Sequence, residues 1–153
     1  MTAGRDETED ERADRNWEEL LGELRVTQTG VAILFSVLLT VPFSARFEDV
    51  TGFQRSVYLT ALGLSAATTV TLIAPVATHR LMFRMGLKEQ VVQLSNRLAV
   101  TGLALLCLTL GAVLLLVTDV VLSRVEAVVL SLAFTVGTAL LWGVPAVVHR
   151  SAR

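Results

Sequence analysis

One cysteine, Cys107, excludes an intrachain disulfide, and its place in the middle of an apolar run points to a small buried hydrophobe, the alternative being an interchain bridge inside the bilayer. There are only two histidines, His79 and His149, with no further Cys, Asp or Glu at ligand spacing, so no metal site is expected. No glycine-rich phosphate loop, nucleophile–base set or nucleic-acid signature occurs. The expectation is a chain that is not an enzyme, has no cofactor and takes no nucleic acid. The most telling scarcity is that of charge. Val26 to Ala45, Ser56 to His79, Leu98 to Thr118 and Ala127 to His149 contain no Asp, Glu, Lys or Arg. At a rise of about 1.5 Å per residue, roughly 20 helical residues cross the ~30 Å hydrocarbon layer, and each of these stretches is long enough to do so. A soluble bundle would place polar residues on every outer turn, and these stretches do not. With 53% hydrophobic residues and a mean hydropathy of +0.63, the chain reads as an all-α, four-span integral membrane protein.

What is present comes in two copies. Arg25-Val26-Thr27-Gln28-Thr29-Gly30-Val31-Ala32-Ile33-Leu34 recurs as Arg97-Leu98-Ala99-Val100-Thr101-Gly102-Leu103-Ala104-Leu105-Leu106. Pro75-Val76-Ala77-Thr78-His79-Arg80 recurs as Pro145-Ala146-Val147-Val148-His149-Arg150 at nearly the same offset, and Asp49-Val50 matches Asp119-Val120 at the offset of the proline block. One block opens a span and the other closes the next, in the same order both times. Two tandem hairpins of parallel orientation are expected to form a four-helix bundle. Gly30 and Gly102 are then expected at one depth and at helix contacts, and Pro75 and Pro145 likewise match as kinks near helix ends. The pairs Gly63–Ala67, Ala133–Gly137 and Ala139–Gly143 have the small-xxx-small spacing of close helix contacts.

Residues 1–25 hold nine acidic and four basic side chains. Residues 1–15 are expected to be an acidic, unfolded tail; the alternative is a docking segment for a basic partner. The membrane domain is expected over 16–150, with 151–153 as a cytoplasmic end. Asn16 and Glu19 have capping-box spacing, so a helix should begin there, with Leu20, Leu21 and Leu24 on one face of an amphipathic lead-in and Trp17 as an interfacial anchor. The acidic flank and long apolar run are unlike a cleaved signal peptide. Ten Lys and Arg lie in the N-terminal segment, the middle connection and the C-terminus, against three in the other two connections. The positive-inside rule puts both termini in the cytoplasm of a multi-pass protein.

Candidate functional residues follow from the repeats. Arg25, Arg80, Arg97 and Arg150 would ring the cytoplasmic end, either as plain anchors or as a site for anionic lipid headgroups or a partner. His79 and His149 each stand four residues after a proline, as snorkelling anchors or as a pH-sensitive pair. Gln28 is the one amide inside a span. No carboxylate lies within a charge-free stretch, whereas ion-coupled transporters bury one to bind their proton or cation. The threonines Thr27, Thr29, Thr68, Thr69 and Thr71 are expected to bond back to their own helices. Two functions stay open: a structural or regulatory protein binding lipid or a partner at the arginine rim, and a small cation or proton transporter or channel component working as an oligomer. Self-association is expected in both.

The run from Trp17 to Gly30, with Phe35, Leu38-Leu39-Thr40-Val41-Pro42-Phe43, Phe53-Gln54-Arg55, Val57-Tyr58-Leu59, Ile73 to Arg80 and Asn96-Arg97-Leu98-Ala99, resembles a family of small bacterial membrane proteins of unknown function. The likeness spans residues 16 to 150. It implies four spans and a bacterial inner membrane. Some members of that family carry a sodium:proton antiporter label, and the resemblance brings no site residues with it.

Overall fold

The computed structural model describes residues 8–82 and 88–151. Within them the chain forms four helices: α1 Glu9–Thr40, α2 Gly52–Met82, α3 Lys88–Val121 and α4 Arg124–Ser151. All four are long and apolar enough to cross a membrane. Two 3-10 turns, Val41–Phe43 and Ala45–Asp49, link α1 to α2. Pro42 has no N–H to continue the α1 ladder, which accounts for the tightening there. The turn expected at Gly86 lies outside the described residues.

Capping boxes set three of the starts. Thr8 and Glu11 open α1, with the Glu11 amide donating to Thr8 Oγ1 at 3.3 Å and the Thr8 amide to Glu11 Oε2 at 2.9 Å. Thr51 and Gln54 do the same for α2, and Ser123 and Glu126 for α4. The helix therefore begins at Glu9 and not at Asn16. This corrects the expectation of an unfolded segment up to residue 15, at least from Glu9 onward. Thr8-x-x-Glu11 is the earlier of two capping sequences, and Glu9, Asp10 and Glu11 place negative charge at the positive end of the helix dipole. The lead-in is also no separate surface helix. It runs unbroken into the span, with Leu24 only 4% exposed in a cluster with Val31, Leu72 and Ala99.

The packing is inverted relative to a soluble bundle. Ala61, Ser65, Thr68, Ser95, Thr109 and Ala127 are fully buried, while Val26, Leu141 and many other large apolar side chains face outward. In lipid nothing drives Leu or Val inward, and small side chains are what let helices approach. The α2–α3 contact is the most extensive; α1 packs on both, and α4 packs on α3 alone among the described residues. A second cluster of Leu38, Tyr58 and Ala61, backed by Phe47 and Leu116, closes the other end of the α1–α2–α3 core.

The close approaches fall at two glycines of α3. A Cβ on Gly102 would meet Leu72 of α2, 2.8 Å from its Cγ and nearer still to Cδ2; one on Gly111 would meet Thr135 of α4. The step from Gly102 to Gly111 is about 2.5 helical turns, so these glycines face opposite sides of α3 and admit one neighbour each. Gly30 departs from expectation: nothing lies within 4 Å of the position its Cβ would take. The physical reason is that α3 lies between α2 and α4, whereas the corresponding face of α1 has no helix beside it. The small-xxx-small pairs make no such contacts among the described residues either. Gly63, Gly137 and Gly143 open onto space, and Ala67, Ala133 and Ala139 are exposed.

Candidate functional site

A polar layer runs through the α1–α2–α3 core. Pro75, fully buried in α2, cannot donate to the carbonyl of Thr71 and loosens the helix there. Across from this turn, Gln28 of α1 donates its Nε2 amide to the neighbouring Leu72 carbonyl at 2.7 Å. Thr27, Thr29, Thr68, Thr69 and Thr71 each bond a carbonyl four residues back, as expected. The Thr68 hydroxyl also lies 3.4 Å from that of Thr109, joining α2 to α3. Two buried hydroxyls, Ser65 and Ser95, have no hydrogen-bond partner among the described residues. Cys107 is buried, with its thiol directed at the Thr135 carbonyl of α4.

The Leu72 level gives a reference plane for the arginines. Arg25 precedes Gln28 by three residues, Arg97 precedes Gly102 by five, and Arg80 follows Leu72 by eight. By helical rise they stand about 4.5, 7.5 and 12 Å to one side of that level, all at the same end of the bundle. All three are exposed, and none is held by an ion pair among the described residues. The side chains of Arg150, His79, His149 and Pro145 lie outside the described residues, and with them the fourth member of the ring, the histidine pair and the second proline. The same end carries the Thr8 cap, where hydrogen bonds from the Thr8 amide and hydroxyl hold the Glu11 carboxyl below its ordinary range.

The opposite end contains a constellation that the sequence reading missed. Asp119, the first charge after the third charge-free stretch, lies in the last turn of α3 with its side chain only 4% exposed. It accepts from Gln54 Nε2 of α2 at 3.0 Å and from Arg124 Nε of α4 at 3.3 Å. The Arg124 guanidinium also covers the Phe53 ring at 4.1 Å. These contacts tie the ends of three helices together and bring α4 to α2, whose backbones do not otherwise meet among the described residues. Beside them an apolar pocket of about 330 Å³ lies between α2, α3 and the 41–50 connection, with Phe47, Tyr58 and Leu116 among its walls. The available signal was the apolar run after Asp119: Val120, Val121 and Leu122 continue the helix pattern beyond the first charge. Its counterpart in the first hairpin, Asp49, is exposed.

Nothing among curated proteins or solved structures matches the chain. A family model does, over residues 6–146, and it covers nearly all of the four-helix domain. The chain belongs to that family, described as a family of unknown function, DUF6328.

Proposed function

We propose that this is a non-enzymatic protein of a bacterial inner membrane, with both termini in the cytoplasm, whose arginine end binds anionic lipid headgroups. The observation that carries the reading is the set of three exposed arginines, Arg25, Arg80 and Arg97, at one end of the bundle with no ion pair among the described residues. Each cation near an anionic surface contributes on the order of 1 kcal/mol, so even three give a clear preference over zwitterionic lipid. Gln28 supports a structural interior, because its amide is engaged by a backbone carbonyl. Self-association, and docking of a basic partner on the acidic N-terminal segment, belong to the same reading.

The test is co-purified lipid. Protein exchanged into equal amounts of phosphatidylglycerol and phosphatidylcholine should retain the former. Changing Arg25, Arg80 and Arg97 together to Gln should remove the preference. Equal retention by the wild type would refute the proposal.

A cation or proton pathway built by an oligomer is the second reading, and Asp119 favours it as a nearly buried carboxylate within an apolar helix. Its pairing with Arg124 weighs the other way. Proton or sodium flux in protein-containing vesicles, lost on Asp119→Asn, would support this reading; no flux above empty vesicles would end it.

A further inference from the structure

We propose that a second copy of this chain seats Trp142 of its α4 over Gly30 of α1, repeating between chains the contact that α2 makes with α3 within one. This deepens the self-association named above and rests on it.

The argument starts from the repeat offsets. Gly102 corresponds to Gly30, and Leu72 corresponds to Trp142 by the offset that relates Pro75 to Pro145. Inside the chain, Leu72 fills the space that a Cβ on Gly102 would take, and Leu72 is fully buried there. The corresponding pair is apart: Gly30 faces open space and Trp142 is 43% exposed. The surroundings correspond too. Leu98, Gly102, Leu105 and Thr109 are buried or half-buried, whereas their counterparts Val26, Gly30, Ile33 and Val37 all lie on an exposed stripe of α1. One polar match is missing, since Val37 stands where α3 has Thr109.

The two hairpins also pack at a similar level. Ser131 donates to the Gly111 carbonyl at 2.6 Å. Moved back by the offset of the proline block and that of the glycine block, these two residues become Ala61 and Leu39. The observed α1–α2 cluster contains Ala61 with Leu38, whereas Leu39 itself is exposed, so the level is shared while the face of α1 is turned by one residue. Among the described residues each helix packs on the next in chain order, α1–α2, α2–α3 and α3–α4, with α1 also touching α3, and α4 does not reach α1. The next term in that series is α4 against α1 of another copy. Since α1 and α3 run in one direction and α2 and α4 in the other, the contact keeps both copies in the same membrane orientation. It is a heterologous contact, joining different surfaces of the two partners. It continues an interface the chain already uses, which is what singles out a second copy over lipid as the occupant of this face.

Disulfide mapping tests it in membranes. In a Cys107→Ala background, Gly30→Cys and Trp142→Cys are placed on differently tagged chains and oxidised. The expected product is a 30–142 bridge between unlike tags, with 30–30 and 142–142 bridges at least tenfold scarcer. In parallel, Gly30→Leu on the otherwise native chain should abolish self-association while keeping the helicity of the single chain and leaving it no less stable to heat, because nothing among the described residues of the other helices lies within 4 Å of the new Cβ. Self-association that survives Gly30→Leu, or that yields only like-with-like bridges, would overturn this surface and leave self-association standing. A chain that stays single in bilayers would overturn both.

Discussion

Alanine at the two repeat-equivalent glycines should act in opposite directions. In a helix interior Gly→Ala gains about 1 kcal/mol from backbone entropy, and this term is common to both sites. At Gly30 nothing opposes it, as the new methyl meets no atom within 4 Å. At Gly102 the methyl would stand 2.8 Å from Leu72 Cγ and nearer still to Cδ2. Leu72 cannot swing clear, because it is fully buried and its own carbonyl accepts from Gln28. Overpacking of this kind costs about 1–3 kcal/mol. Gly30→Ala should therefore stabilise by about 1 kcal/mol, and Gly102→Ala should range from neutral to about 2 kcal/mol destabilising. Subtracting one from the other cancels helix propensity and isolates the clash. The assay is equilibrium unfolding in mixed micelles, followed by circular dichroism at a dilution where the chain is single. A double change, Gly102→Ala with Leu72→Ala, should recover about 0.5–3 kcal/mol relative to the sum of the singles. Equal effects at the two glycines, within about 0.5 kcal/mol, would refute the asymmetric packing.

Three other expectations rest on single contacts. Gly111→Ala should displace Thr135 and loosen α4 from α3 at a cost of about 1–3 kcal/mol, read as faster amide exchange in α4 with α2 unchanged. Asp119→Ala should destabilise by about 1–3 kcal/mol because it strands the Gln54 amide, whereas Asp119→Asn, which keeps an acceptor, should cost less; unfolding in micelles separates the two. The Arg124 share of that cost is small, since Arg124 is about half exposed and its charge is screened. At the start of α1 the Glu11 carboxyl is held low by Thr8, so its cap contributes fully above the ordinary Glu value of about 4.3 and is lost as the pH falls on through the lowered value. Amide exchange over the first turn of α1 should rise on acidification, and Thr8→Ala should remove that pH dependence.

The spans were legible because lipid leaves a coarse mark: a charge-free run of the right length needs no tertiary information. The back-bonding threonines and the buried cysteine were legible for the same reason, being local or compositional. The helix starts were written in the sequence as well, at Thr8, Thr51 and Ser123, but a weaker candidate at Asn16 competed and the acidic composition favoured a free tail. Which glycines meet a neighbour was not legible. That depends on which side of a helix has a companion, and α3 has one on two sides while the Gly30 face of α1 has none among the described residues. Asp119 was missed because charge was equated with the end of a span, although α3 continues past it to Val121 and satisfies the carboxylate with groups from two other helices.

The lipid-binding account depends above all on the arginine end lying in the cytoplasm. Labelling of single cysteines in intact cells tests this directly. The native Cys107 is buried and should stay silent. Glu48→Cys and Leu122→Cys, exposed at the opposite end, should react with a membrane-impermeant maleimide from outside, and Glu19→Cys should react only after permeabilisation. Labelling of Glu19→Cys in intact cells, with Glu48→Cys and Leu122→Cys protected, would contradict the orientation and remove the arginine rim from the anionic cytoplasmic surface.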